Sequence, residues 1–336
     1  MNILYLLLLT PIFGFDCIDD NGNSVDYWVA LKKPKSLSYF YYDSNENIFN
    51  ISQHSLNDTI HGALAHTTKQ LWNNDANYVI YNDQIPNIYN NFKINKTISK
   101  FGHTKGYFAF NNMDRGFIIS HSIPLFPLGP TDTDKYIGLG SNAFTYGQNI
   151  MCLSIMADVI NEIANKFMLN RPQIYDMKLT TDKYENIRNL IDGKYSKLKL
   201  CESEQFITHS GLLFTVFSKT AEWNNDLYAG CVTPTEKDTL LVQSWIRGSA
   251  EGPVCPISDY DTLDIKYLDF GSDGSWSDTM DHSKWAITLN KNVVCMGDIN
   301  RMTTQYLRGG GTICISDNIL HSVLKRAIIT TNSCLI

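Results

Sequence analysis

Apolar residues recur along this chain in two rhythms, and the alternation between them sets the first expectation. Runs of four to six residues rich in β-branched and aromatic side chains predict short strands at Tyr78–Tyr81, Gly106–Phe110, Phe117–Ser120, Leu212–Phe217, Leu240–Trp245, Trp285–Leu289 and Val293–Met296. Other stretches carry a helical stripe. Leu56, Ile60, Leu64 and Leu71 share one face of a helix predicted over Ser55–Trp72, with Ser55 as its cap. A second helix is predicted from about Ile150 to Met168, on Leu153, Met156, Val159, Ile160, Ile163 and Phe167. A last one starts after Ser316 with Ile319, Leu320, Val323 and Leu324. Strands and helices alternate throughout, which reads as α/β. The polar segment Leu169–Leu200, with Gly193 near its end, divides a single domain into halves of about 16–190 and 191–336.

The N-terminus departs from both rhythms. Met1 to Phe15 holds no charged side chain and runs Ile3-Leu4-Tyr5-Leu6-Leu7-Leu8-Leu9. That is shorter than the roughly 20 apolar residues of a membrane span, and it predicts a secretory leader over residues 1–15. A buried N-terminal strand is the alternative, but Asp16 and Cys17 end the run at once. Acceptor sequences for glycosylation at Asn50, Asn57 and Asn95 fit a secreted or lysosomal route. The eight cysteines form no C-x-x-C pair, so disulfides account for them better than zinc does. Net charge is −6 with histidine neutral, which disfavours a nucleic-acid partner at pH 7; protonating all eight histidines brings it to +2. A polyanionic substrate is therefore permitted in acid.

The candidate chemistry lies in an echo. His103-Thr104-Lys105 and His282-Ser283-Lys284 stand 179 residues apart, as two related halves would place them. In an extended chain, residues i and i+2 point the same way, so each histidine projects beside its lysine. A phosphodiester suits that pairing. Lysine supplies positive charge for the phosphate oxygens, and histidine supplies a nucleophile or a proton carrier. Two pairs at one site give one histidine that attacks phosphorus and another that protonates the leaving 5′-oxygen and later activates water. Two tripeptides alone are weak evidence, and by themselves they read better as two surface turns.

The surroundings of both pairs are more specific. Gly102-His103-Thr104-Lys105-Gly106, then Gly116-Phe117-Ile118-Ile119-Ser120-His121-Ser122-Ile123-Pro124, resemble the deoxyribonuclease II family. So do Asp281-His282-Ser283-Lys284-Trp285, Cys295-Met296-Gly297-Asp298-Ile299-Asn300-Arg301 and Arg308-Gly309-Gly310-Gly311-Thr312-Ile313-Cys314. Val25-Asp26-Tyr27-Trp28, Tyr146-Gly147-Gln148 and Asp226-Leu227-Tyr228 extend the likeness over nearly the whole chain. The resemblance implies a phospholipase D-like fold, two pseudo-symmetric α/β halves with the site at their junction. It implies acid-active, metal-independent cleavage of DNA to 3′-phosphate and 5′-hydroxyl ends. His103, Lys105, His282 and Lys284 become the catalytic set, with His103 as nucleophile and His282 as general acid by analogy. His121 matches a further family histidine in a supporting role, with a structural histidine inside a buried strand as the equal alternative; Gln148 can orient a phosphate or a histidine, or equally cap the helix region that follows. The resemblance pairs Cys17 with Cys152, Cys255 with Cys334 and Cys295 with Cys314, leaving Cys201 and Cys231 open. One departure concerns the acid that the wider phospholipase D motif places five residues after its lysine. Phe110 and Leu289 occupy those positions, and Asn290 is the expected substitute.

Other features carry less. Gly309-Gly310-Gly311 reads as a tight turn before a strand at Ile313, with close approach of its N–H groups to a phosphate as the weaker alternative, and Asp19 to Asn23 as a turn lacking the ligand order of a calcium loop. No metal site and no cofactor is expected; the partner is DNA, with a homodimer left open. A DNA-binding relative without activity and a lipid phosphodiesterase are the rivals. The complete pairs argue against the first, and the absence of a basic amphipathic membrane segment against the second.

Overall fold

The computed structural model describes residues 15–86, 101–246, 248, 250–257 and 259–334; the predicted leader, except its last residue, and the acceptor at Asn95 lie outside them. A two-residue hairpin, β1 (Cys17–Ile18) with β2 (Ser24–Val25), precedes the first sheet. That sheet runs in spatial order β10 (Ile174–Lys178), β6 (Asn77–Asn82), β7 (Lys105–Phe110), β8 (Arg115–His121), β9 (Gln148–Met156), β3 (Tyr27–Lys32), β4 (Tyr39–Asp43) and β5 (Asn50–Ile51), all antiparallel. The second runs β11 (Cys201–Ile207), β12 (Leu213–Lys219), β18 (Gly310–Ser316), β17 (Val293–Gly297), β16 (Trp285–Thr288), β13 (Leu240–Gln243), β14 (Thr262–Asp269) and β15 (Ser275–Ser277). In it β13 and β14 are parallel, and β19 (Ile328–Thr331) joins β14 from the side.

The centres of the sheets share an order. Each has a hairpin begun at a His-x-Lys pair (β7–β8 and β16–β17), a third antiparallel strand (β9 and β18), and an antiparallel neighbour beyond it (β3 and β12). β9 feeds α2 (Ala157–Asn170) and β18 feeds α6 (Asn318–Ala327), the two longest helices. The other α-helices among the described residues are short: α1 (Ala63–Thr68), α3 (Glu185–Ile191), α4 (Thr233–Glu236) and α5 (Thr303–Tyr306). The chain is mixed α/β, mostly sheet.

One core joins the inner faces of both sheets. Val29, Phe108 and Leu153 meet Val216, Ile287 and Met296, with Ile163 and Phe167 of α2 and Leu320 and Leu324 of α6 among them. The outer faces are apolar as well, with Trp28, Ile80, Tyr107 and Ile119 on one sheet and Phe217, Leu240 and Val242 on the other. Strands covered on both sides read as continuous apolar runs. This is the reason the predicted second helix fails in its first part. Ile150–Ile155 is strand, buried between β8 and β3, and the helix begins only at Ala157.

The first predicted helix also shrinks. Asp58 Oδ1 accepts the N–H groups of Ile60 and His61 at 2.7 and 2.9 Å, which closes a turn, and Gly62 at φ 89° breaks the backbone before α1. Ser55 is not its cap. The last helix is as expected, with Asp317 accepting from the N–H groups of Ile319 and Leu320 at 2.8 Å. Four disulfides close the structure: Cys17–Cys152, Cys255–Cys334, Cys295–Cys314, and Cys201–Cys231, the pair left open by the sequence. Among the described residues no helix is long and apolar enough to cross a membrane.

Candidate active site

Both His-x-Lys segments are extended chain entering a strand: Lys105 opens β7, and Lys284 immediately precedes β16. Extended geometry turns alternate residues to one side. His103 and Lys105 accordingly line a pocket that Thr104 does not, and His282 and Lys284 line it without Ser283. All four side chains share this single pocket of about 450 Å³, together with Asp83, Gln148 and Arg308.

Each segment is anchored by the opposite sheet, and in the same way. The His103 N–H donates to the Gly309 carbonyl just before β18, and the His282 N–H to the Gly147 carbonyl just before β9, both at 2.9 Å. The Lys105 N–H donates to Asp298 Oδ2 at 3.3 Å, and the Lys284 N–H to Asn149 Oδ1 at 2.7 Å. The glycines are required by contact. A Cβ on Gly309 would lie 2.3 Å from the Asn170 carbonyl oxygen, and one on Gly147 would lie 2.3 Å from Asp281 Oδ1. Gly310 and Gly311 form the first rungs of β18 instead of the turn expected before it.

The two glycine-bearing loops are themselves pinned by buried lysines. Lys32 ends β3 opposite Gln148, and its Nζ donates to the carbonyls of Lys33, Ser36 and Phe144 at 2.7, 2.7 and 3.1 Å. Lys219 ends β12 opposite Gly310, and its Nζ donates to the carbonyls of Gln305, Tyr306 and Arg308 at 3.3, 2.9 and 2.6 Å. Burial pushes both ammonium groups down to about 8.

The side-chain surroundings then diverge. His103 Nδ1 donates to the Asp298 carbonyl, which leaves Nε2 with its lone pair. Lys105 makes a buried ion pair with Asp83, and Arg308 reaches the same carboxylate at 3.0 Å. Burial holds the His103 imidazole well below its ordinary range; Asp83 opposes this, while Lys105, Arg308 and Lys284 add to it. Burial also acts to raise Asp83, but Lys105, His103 and Arg308 together keep it ionised. The Asp298 carboxyl is pushed up to about 7 by burial, against the opposing Gly311 N–H and Lys105.

His282 stands between rings instead. Tyr146 lies parallel to it at 3.8 Å between centroids, and Trp245 is tilted over it at 4.4 Å. The Lys284 ammonium donates to the His282 carbonyl rather than to a carboxylate, and burial with Lys105 nearby pushes it down to about 7.

The remaining predicted residues separate. Gln148 is buried at the pocket wall and accepts from the Ser122 hydroxyl. His121 is buried outside the pocket lining; its Nδ1 accepts the Ile123 N–H at 3.1 Å and burial pushes it down to about 3, so it remains neutral. Asn290 corrects an expectation. It sits exposed in the β16–β17 turn, bonded to Asp238 at 2.9 Å and away from the pocket. The acid beside Lys105 comes from sheet pairing: Asp83 follows Asn82, which opposes Lys105 across the β6–β7 ladder. No spacing rule could have found Asp83, Asn149 or Trp245. Asp298, Arg308 and Tyr146 lay within segments of family likeness without an assigned role. Asn50 and Asn57 are both exposed.

Two histidines lining one pocket with Lys105, Lys284 and Arg308 suit a protein that takes a phosphate ester. Residues 16–334 match the family Deoxyribonuclease II. The chain is 34% identical to Deoxyribonuclease-2 of Caenorhabditis elegans, over 96% of this chain and 94% of that protein. It is 28% identical to Deoxyribonuclease-2-alpha of Sus scrofa (99% and 94%) and 27% identical to Deoxyribonuclease-2-beta of Mus musculus (98% and 97%). The chain belongs to the deoxyribonuclease II family of DNA-degrading hydrolases.

Proposed function

We propose that this chain is an acid endonuclease that hydrolyses DNA phosphodiesters without a metal, leaving 3′-phosphate and 5′-hydroxyl ends. The observation that carries the reading is one pocket holding two histidines prepared differently over shared cations. His103 Nε2 attacks phosphorus in line; the P–O5′ bond breaks and His282 gives its proton to O5′. His282 then takes a proton from water, whose oxygen displaces His103 from phosphorus and frees the 3′-phosphate. Lys105, Lys284 and Arg308 offset the charge that develops on the phosphoryl oxygens. His121 and Gln148 support the site from behind and beside it.

The matched strand order around the two motifs supports reading residues 16–190 and 191–336 as phospholipase D-like halves. Residues 1–15 would direct the chain to a secreted or lysosomal compartment, with sugars at Asn50, Asn57 and Asn95. Mild acid suits the site. The Lys284 ammonium is lost as pH rises through about 7, and the chain moves from −6 toward cationic as histidines protonate.

Plasmid nicking at pH 5 in EDTA, against pH 7.5 with magnesium, tests this. The expected result is cleavage at pH 5 that chelation does not reduce. Activity abolished by EDTA and restored by magnesium, or a rate climbing steadily to pH 8, would overturn the mechanism.

A further inference from the structure

The two histidines are built in by the same backbone bonds, yet among the described residues rings enclose His282 and not His103. Tyr146 comes from the loop before β9, whose Phe144 carbonyl is pinned by Lys32 and whose Gly147 carbonyl takes the His282 N–H. Trp245 comes from the other sheet, two residues past Gln243, which opposes Trp285 across the β13–β16 ladder. One ring thus reaches His282 from each sheet, at centroid distances of 3.8 and 4.4 Å. Among the described residues no ring stacks on His103, which is tied by Nδ1 to the Asp298 carbonyl.

We propose that Tyr146 and Trp245 are positioning residues that aim the His282 ring at the leaving oxygen and favour its proton-carrying form, leaving attack to His103. This rests on the histidine mechanism above. A π face attracts a cation, so an imidazolium between two rings is favoured over an imidazole. The charged groups that line the pocket or flank His282 among the described residues do not supply that preference. Lys284, on its own segment, and Lys105 and Arg308, across the pocket, all disfavour a second cation. Asp83 is engaged by Lys105 and Arg308. Asp281, next in the chain, turns Oδ2 to the Trp276 N–H at 2.8 Å and Oδ1 to the Ser283 N–H at 2.9 Å. The rings also fix the imidazole plane, which a proton donor needs more than a lone stack on a surface would.

The test uses leaving-group chemistry. A 5′-alkoxide must be protonated as it departs, whereas p-nitrophenolate leaves without a proton. Full-length Tyr146→Leu and Trp245→Leu are compared at pH 5 on plasmid DNA and on thymidine 3′-(p-nitrophenyl phosphate), reading the first turnover so that the later hydrolysis does not intervene. Each leucine variant should cleave DNA roughly 10- to 100-fold more slowly, while nitrophenolate release falls by less than about threefold, because only the first needs the general acid. Tyr146→Phe keeps the stacked ring and should stay within about threefold of the parent on both. Should a leucine variant not fold, Trp245→Phe carries the same comparison with a smaller π face, and a DNA-selective loss of about threefold is expected.

Equal losses on both substrates would mean that the rings serve structure only, and no loss on DNA would mean that they do not serve His282. His282→Ala separates this failure from failure of the mechanism. If it still cleaves DNA, the histidine mechanism is wrong. If it is inactive on DNA but gives a burst of about one nitrophenolate per enzyme, and the ring variants show no bias, only the ring inference falls.

Discussion

Lys105 and Lys284 occupy matching points of two sheets, each two residues after a histidine whose N–H reaches a glycine carbonyl 2.9 Å away in the other sheet. A buried lysine, Lys219 or Lys32, pins the loop carrying that glycine. Beyond the backbone the likeness ends. Lys105 has the Asp83 carboxylate and Arg308 beyond it, while Lys284 has a carbonyl. His103 is tied through Nδ1, and His282 lies between aromatic rings. Repeated backbone bonds set where the four groups stand; unrepeated side chains give each its own surroundings. The proposed two-step displacement would need both, because attack and protonation come from opposite sides of one phosphorus but call for opposite protonation states.

The sharpest way to break this comparison is to remove each histidine. His103→Ala and His282→Ala should each lower DNA cleavage by roughly 10⁴-fold or more, and the double variant should be no worse, since both act in one displacement. A double variant showing the product of the two losses in single-turnover assays would place them in separate sites.

The lysines should separate the halves. Lys105→Met and Lys284→Met should each slow cleavage by about 10²- to 10³-fold through loss of a preorganised cation. Their stabilities should differ. Lys105→Met leaves Asp83 buried with Arg308 alone and should cost about 3 kcal/mol in denaturant unfolding. Lys284→Met removes an ammonium whose burial is already unfavourable and should cost far less. Equal destabilisation would mean that the ion pair makes no difference between the halves.

Lys32→Met and Lys219→Met should instead agree. Each strands three carbonyls in an enclosed loop, for a loss of about 2 kcal/mol apiece. Calorimetry showing one variant unaffected would break the equivalence of the two loops.

The smallest effect concerns Asp298. Its folded carboxyl titrates near 7, above its unfolded range, so its contribution is complete below about pH 4 and is lost as pH rises through about 7. Asp298→Asn lacks that loss. The melting temperature of the variant relative to the parent should therefore rise by about 1–2 °C per pH unit between pH 4 and 7. A constant difference across that window would show that Asp298 does not titrate there.

Legibility followed locality. Strands at Asn77–Asn82, Lys105–Phe110 and Val293–Gly297 were visible because short apolar runs rich in β-branched and aromatic residues favour strand over helix at that length. Tyr27–Lys32 and Tyr39–Asp43 drew no strand expectation, although both are buried throughout. Ile150–Ile155 was mistaken for helix because a strand covered on both faces loses the alternation that marks it.

The four pocket residues His103, Lys105, His282 and Lys284 were legible as a group because each His-x-Lys is a contiguous piece of chain whose extended geometry puts both groups on one side. Composition by itself also determined that the molecule gains positive charge in acid, and cysteine number that it has an even set to pair. Tertiary structure alone decided what surrounds those groups. Asp83 reaches Lys105 across a strand ladder, Trp245 reaches His282 across another, and Asn149 and Asp298 hold the lysine of the opposite sheet. Partners that meet through sheet pairing carry no fixed spacing in sequence. What distinguishes the two imidazoles, a carbonyl bonded to one ring and two aromatic rings around the other, belongs to what packs around them rather than to the residues themselves.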